Sequence, residues 1–122
     1  MKKIFFLIPI VLFTCSNNIK NCSNFKTGTF KYLDNNPEEV IVIRNDTSHI
    51  EINKRYNTKI ISDVEWVSDC EFIITPKEFI NYPDERISKP ISVQIIESKG
   101  KTFVCMAEDD SLSFKIKMMK VD

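Results

Sequence analysis

The chain of 122 residues is poor in the residues that many site chemistries require, with two glycines, one alanine, one tryptophan and one histidine. Gly28 and Gly100 alone cannot build a glycine-rich loop that cradles a phosphate. His49 has no second histidine to join it and the cysteines show no C-x-x-C spacing, which removes the usual zinc ligand sets. A serine triad would have to run through His49 and would lack a G-x-S-x-G nucleophile motif. The reading is therefore a non-enzyme without cofactor or metal. Neither sign of charge dominates, at 17 basic against 17 acidic residues, so nothing attracts the chain to nucleic acid. The longest apolar run, 4–13, is broken by Pro9 and falls well short of the roughly 20 residues that span a bilayer as a helix.

That run does have another use. Met1-Lys2-Lys3 followed by an apolar stretch has the form of a signal peptide. Leu12-Phe13-Thr14-Cys15 resembles the lipobox of bacterial lipoproteins, in which the cysteine becomes diacylated and N-terminal. The resemblance divides the chain into a signal at 1–14, a lipidated Cys15 with a polar tether at 15–21, and one domain at 22–122. Acyl chains that bury about 0.8 kcal/mol per CH₂ would then hold the protein on a membrane. Loss of Lys2 and Lys3 leaves 15 basic against 17 acidic residues. The acidic cluster that commonly follows the cysteine in surface-exported Bacteroidetes lipoproteins is absent, so the expected location is the envelope, facing the periplasm.

After residue 20 no long apolar pattern of period 3.6 occurs, and Ala107 is the only representative of the best helix former. Short runs of β-branched and aromatic residues alternate instead with polar ones, which specifies an all-β chain. Strands are expected at 26–33, 39–44, around Ile50 and Ile52, from Ile60 through Trp66, and at 70–75, 91–98, 102–108 and 112–118. Pro76 is expected to stop the fifth, with a helical turn at 76–82. Eight strands joined mostly by tight turns form an antiparallel meander, a small up-and-down barrel of lipocalin-like shape or a half-open one. Alternation points Phe30, Tyr32, Ile52, Trp66, Phe72, Ile95, Phe103, Phe114 and Met118 inward, a bulky set that fills most of an interior. Phe30, Tyr32, Trp66, Phe72, Phe103 and Phe114 are the candidate ligand-lining residues. His49, out of phase with Ile50 and Ile52, is expected to face water. The carboxylates Asp63, Glu65, Asp69 and Glu71, and the run Glu108-Asp109-Asp110, read as solvated strand faces and turns.

With Cys15 lipidated, Cys22, Cys70 and Cys105 remain in an oxidising compartment, enough for one disulfide and one free thiol. Cys70 shares a face with Phe72 and Ile74, and Cys105 shares one with Phe103 and Ala107. Their strands are next-nearest neighbours, however, roughly 9–10 Å apart and beyond the roughly 7 Å Cα limit of a disulfide. Cys22 with Cys70 is the expected pair, and Cys105 a buried small hydrophobe.

Cys22-Ser23-Asn24-Phe25-Lys26-Thr27-Gly28-Thr29-Phe30-Lys31-Tyr32 and Val64-Glu65-Trp66-Val67-Ser68-Asp69-Cys70-Glu71-Phe72, with the Ile43-Arg44-Asn45-Asp46 hairpin, resemble a group of small lipoproteins from Flavobacteria and related Bacteroidetes. The resemblance implies a structural family without an assigned activity, some of whose members carry a topoisomerase IV name. A slightly acidic, exported single domain has neither the size nor the surface for that chemistry. Cys22 and Cys70 both fall in the matching motifs, which adds weight to their pairing.

Three functions fit these features. The first is a lipid-anchored envelope module that binds a partner protein or supports envelope structure. The second is a lipocalin-like carrier or sensor of a small apolar ligand, for which Gly28-Thr29-Phe30 echoes the G-x-W opening of lipocalins. The third is a periplasmic inhibitor of lysozyme-type hydrolases.

Overall fold

Alternation at a period of two residues becomes eight strands in the computed structural model, which describes residues 21–34, 36, 37, 39–84 and 88–122. The signal, Cys15 and the tether up to residue 20 lie outside the described residues. The strands are β1 (Gly28–Tyr32), β2 (Val40–Arg44), β3 (Ser48–Asn53), β4 (Thr58–Ser68), β5 (Glu71–Ile80), β6 (Ile91–Lys99), β7 (Thr102–Glu108) and β8 (Ser113–Lys120). Each pairs antiparallel with the next, and β8 returns to β1 through Phe30↔Lys120, Lys31↔Met119 and Tyr32↔Met118, closing an all-β up-and-down barrel. Closure gives every strand two neighbours, leaving β5 beyond Ile74 paired on one flank only.

Because strand direction alternates, the connections fall at two ends. One end carries the segment before β1, the turn at 45–47, Cys70 and Gly100. The other carries the connections at 33–39, 54–57, 81–90 and 109–112. Side-chain carboxamides and carboxylates build the tight turns. Asn45 Oδ1 accepts from the amides of Thr47 and Ser48 at 2.9 and 2.8 Å, and Asp109 Oδ1 accepts from those of Ser111 and Leu112, both at 2.8 Å.

The first end is shut. A 3-10 turn, Cys22–Phe25, folds across it, and its two apolar side chains are buried. Cys22 is disulfide-bonded to Cys70, as the strand spacing and the motifs led one to expect, and Cys105 is a buried free thiol. Phe25 lies 4.5 Å from the Phe103 ring, Phe103 meets Phe30 edge-on at 5.5 Å, and Trp66 packs on Phe72 at 5.0 Å. Lys120 Nζ donates to Asn24 O at 2.9 Å. This half of the interior is filled with aromatic rings.

Two expectations about the strands are corrected. Pro76 does not end its strand: β5 runs on to Ile80. Pro76 sits beside a register shift, where Ser62 pairs with Pro76 and Ile61 with Glu78, and β6 stops pairing with β5 at Ile74↔Ile91. On that flank no ladder hydrogen bond is demanded of residue 76, so the missing N–H costs nothing there. On β3, Ile52 does not point inward. Ile50 and Ile52 face outward, opposite Ile43 and Ile41, while His49 and Glu51 take the inner face with Arg44 and Val42. His49 is accordingly buried, at 8% exposure, and does not face water.

The disulfide closes a loop of sequence separation 48 and ties the plugging turn to the barrel wall. Chain entropy sets an upper limit of about 4 kcal/mol on its contribution. A Cys22→Ser/Cys70→Ser variant should lose about 2–4 kcal/mol in urea unfolding, while Cys105→Ser loses less than half of that.

Candidate functional site

The other half of the barrel is hollow. Inward residues of seven strands enclose a cavity of about 240 Å³, whose apolar wall includes Val42, Ile74, Ile91, Val93, Ala107, Ile116 and Met118. Small or branched side chains on β6 and β7 leave this space, since Ala107 stands where the closed half carries Phe103. Phe114 lines the cavity yet is 50% exposed, which places it at the mouth.

Four polar side chains on adjoining strands interrupt the apolar wall: Tyr32 of β1, Arg44 of β2, and His49 and Glu51 of β3. Arg44 is 3% exposed, and its guanidinium is held from several sides. Nε donates to Lys26 O at 2.9 Å and Nη2 to Phe25 O at 2.6 Å, so the plug supplies its acceptors. The rings of Phe30 and Phe72 lie 4.6 and 4.5 Å from its central carbon. Nη1 lies 3.5 Å from His49 Nδ1, a long contact that fits an imidazole carrying its proton on Nε2. The Tyr32 hydroxyl donates to Glu51 Oε1 at 2.9 Å. Among the described residues no carboxylate lies within ion-pair distance of Arg44.

The candidate lining residues divide between the two halves. Tyr32, Phe72 and Phe114 line the cavity, whereas Phe30, Trp66 and Phe103 pack in the closed half and are not among its lining residues. Arg44, His49 and Glu51 escaped the alternation argument, because the isoleucines of β3 marked the wrong face. The signal available was the register of the tight hairpin at 45–47, which sets Arg44 opposite His49 and Val42 opposite Glu51. A larger groove of about 380 Å³, lined by Ile73, Lys89, Pro90, Ser92 and the run Glu108-Asp109-Asp110, is a feature of the outer wall and contains no buried polar side chain.

Comparison with protein-family models, curated proteins and solved structures returned no match. The chemistry of the cavity therefore rests on its own residues.

Burial governs their protonation. It lowers the Arg44 pKa to about 10, which leaves the guanidinium charged at neutral pH. Burial, reinforced by the Arg44 charge, pulls His49 down to about 3, so the imidazole is neutral. The Tyr32 phenol is raised well above its usual range by burial and by Glu51. Glu51 is raised by burial, with the Tyr32 hydrogen bond acting in the opposite direction. Burial lifts the Cys105 thiol to about 11, so this cysteine is no thiolate nucleophile at neutral pH.

His49 makes acid stability a measurable consequence. The unfolded imidazole titrates near 6.5 and the buried one near 3, so between those values the unfolded chain binds more protons. The contribution of the neutral ring is whole above about pH 6.5 and is lost as pH falls toward 3. Glu51, raised when folded, works in the opposite sense in its own window, so the comparison must be made against a variant. Between pH 7 and 4.5 the wild type should lose about 2–3 kcal/mol more urea stability than His49→Gln. Equal losses would show that position 49 does not hold a buried neutral imidazole.

Proposed function

We propose that this is a lipid-anchored envelope protein whose barrel binds a small molecule with a mainly apolar body in the hollow half. The cavity carries the reading, since an eight-stranded barrel is just wide enough either to be filled by side chains or to hold one small ligand. Here one half is filled and the other holds about 240 Å³ of space, apolar on most sides, with a few convergent polar groups. At roughly 30 Å³ per water-sized unit, this volume suits a ligand of about eight to twelve non-hydrogen atoms. Exposed Leu33, Leu112 and Phe114 at the open end favour apolar traffic through it. The lipobox-like Leu12-Phe13-Thr14-Cys15 supports the anchor.

A protein-binding reading is favoured by a different observation, an isoleucine ladder on the outer wall. Ile41 pairs with Ile52, and Ile43 with Ile50, which in turn pairs with Ile61. Ile43 is 41% exposed. A contiguous β-branched outer face of this kind suits a protein contact.

An Ala107→Leu variant separates the two. The added isopropyl group enters the hollow half and leaves the outer wall untouched. Amphiphiles of about eight to twelve non-hydrogen atoms should raise the melting temperature of the wild type and not that of Ala107→Leu, whose own stability should be equal or higher. If no such compound stabilises the wild type, the cavity is not a binding site. The ladder is tested instead by Ile43→Lys, which should abolish a crosslinked envelope complex in cells without altering the melting temperature by more than a few degrees.

A further inference from the structure

The polar groups of the cavity differ in what they have left to offer. A guanidinium has five N–H donors, and Arg44 directs one to Lys26 O, one to Phe25 O and one toward His49 Nδ1, leaving two without a protein acceptor among the described residues. His49, with Nδ1 facing Arg44, has its Nε2–H unused among the described residues. On the other side, Tyr32 donates its proton to Glu51, whose second carboxyl oxygen has no protein partner among the described residues. The surplus is in donors, and it centres on a cation with no carboxylate within ion-pair distance among the described residues.

A buried charge without a counter-charge is costly, and the two carbonyls and two ring faces around Arg44 are neutral. An anion entering the cavity would meet a partner already desolvated and fixed in place, the arrangement in which a charge-assisted pair is strongest. Outside the mouth, the groove against Tyr32 and Phe114 is lined by Lys115, Lys117 and Asp34 among the described residues. Resting on the reading of the cavity as a binding site, we propose that its ligand is a small monocarboxylate, its head group accepting from Arg44 and His49 and its apolar body lying along Val93, Ala107 and Ile116 toward Phe114. Burial keeps Arg44 a cation and His49 an uncharged donor at neutral pH, and it shifts Glu51 upward, with the Tyr32 hydrogen bond acting the other way.

Isosteric probes on the full chain test this without altering the fold. Phenylacetate and hexanoate are titrated at pH 7 alongside phenylacetamide and hexanamide, which match them in shape, are uncharged and carry an NH₂ donor in place of one acceptor oxygen, and alongside phenethylammonium. The carboxylates should bind about tenfold or more tighter than their amides, the ratio expected of one well-placed charge-assisted contact. Amides that bind as well as the carboxylates, or an ammonium that binds best, would overturn the monocarboxylate assignment and leave the cavity reading standing. No binding by any of the five would overturn both. Arg44→Gln should bring carboxylate affinity down to that of the amide and leave amide affinity within about twofold. Because Arg44 also holds the plug, that comparison is made only if the variant melts cooperatively, and the isostere ratio in the wild type decides the matter by itself.

Discussion

The interaction on which this architecture turns is the burial of Arg44 between two phenylalanine rings with two of its five donors on the carbonyls of Phe25 and Lys26. A guanidinium cannot escape its charge by losing a proton at neutral pH, so the fold must supply acceptors inside the barrel. It does so by bending the segment before β1 across one end, where the last turn exposes its carbonyl oxygens inward. The same bend brings Cys22 to Cys70 and Phe25 onto Phe103. Plug, disulfide and buried cation are thus one unit. Removing the plug would leave a buried charge without those acceptors, and removing Arg44 or the disulfide would take away one of the ties that hold the plug.

From that unit follows the division of the interior. The rings of Phe25, Phe30, Phe103 and Trp66 gather at the plugged end, and Phe72 reaches from them to the cavity. At the opposite end Tyr32 and Phe114 are joined by Val42, Val93, Ala107 and Ile116, too small to meet across an eight-stranded barrel. The hollow is therefore a consequence of where the aromatic mass was placed. Arg44 forms the floor between the two halves, fixed from below by the plug and open above to the cavity.

Strand number, all-β class, the antiparallel meander and the disulfide were legible in the chain, because each depends on the period of two and on the spacing between strands, whereas closed and half-open forms share both. The polarity of β3 was not. A run of His49, Ile50, Glu51 and Ile52 reads as isoleucine in and polar out, and that rule assumes a dry interior. Once the interior holds Arg44, the neighbouring strand must answer with groups that tolerate it, and His49 and Glu51 do so while the isoleucines pair across the outer wall with Ile41 and Ile43. Register outranks hydrophobicity here, since a shift of one residue would carry all of β3 to the other face and break the hairpin. The extension of β5 past Pro76 was hidden for a related reason: a proline is a strand breaker only where a partner expects its N–H, and partner extent is a property of the finished barrel.

The direction of the chain through this barrel also orients it. Residue 22 enters at the plugged end, and six residues separate it from Cys15, a span of at most roughly 25 Å over seven steps when fully extended. If Cys15 carries the lipid, the shut end is held close to the membrane and the mouth, with Leu33, Leu112 and Phe114 exposed around it, points away. A ligand would then be exchanged with the compartment or with another protein and not drawn directly from the anchoring bilayer. The buried cation would make that exchange selective, since an uncharged apolar molecule gains only the walls of the cavity, while an anion of the right length gains the walls and the floor.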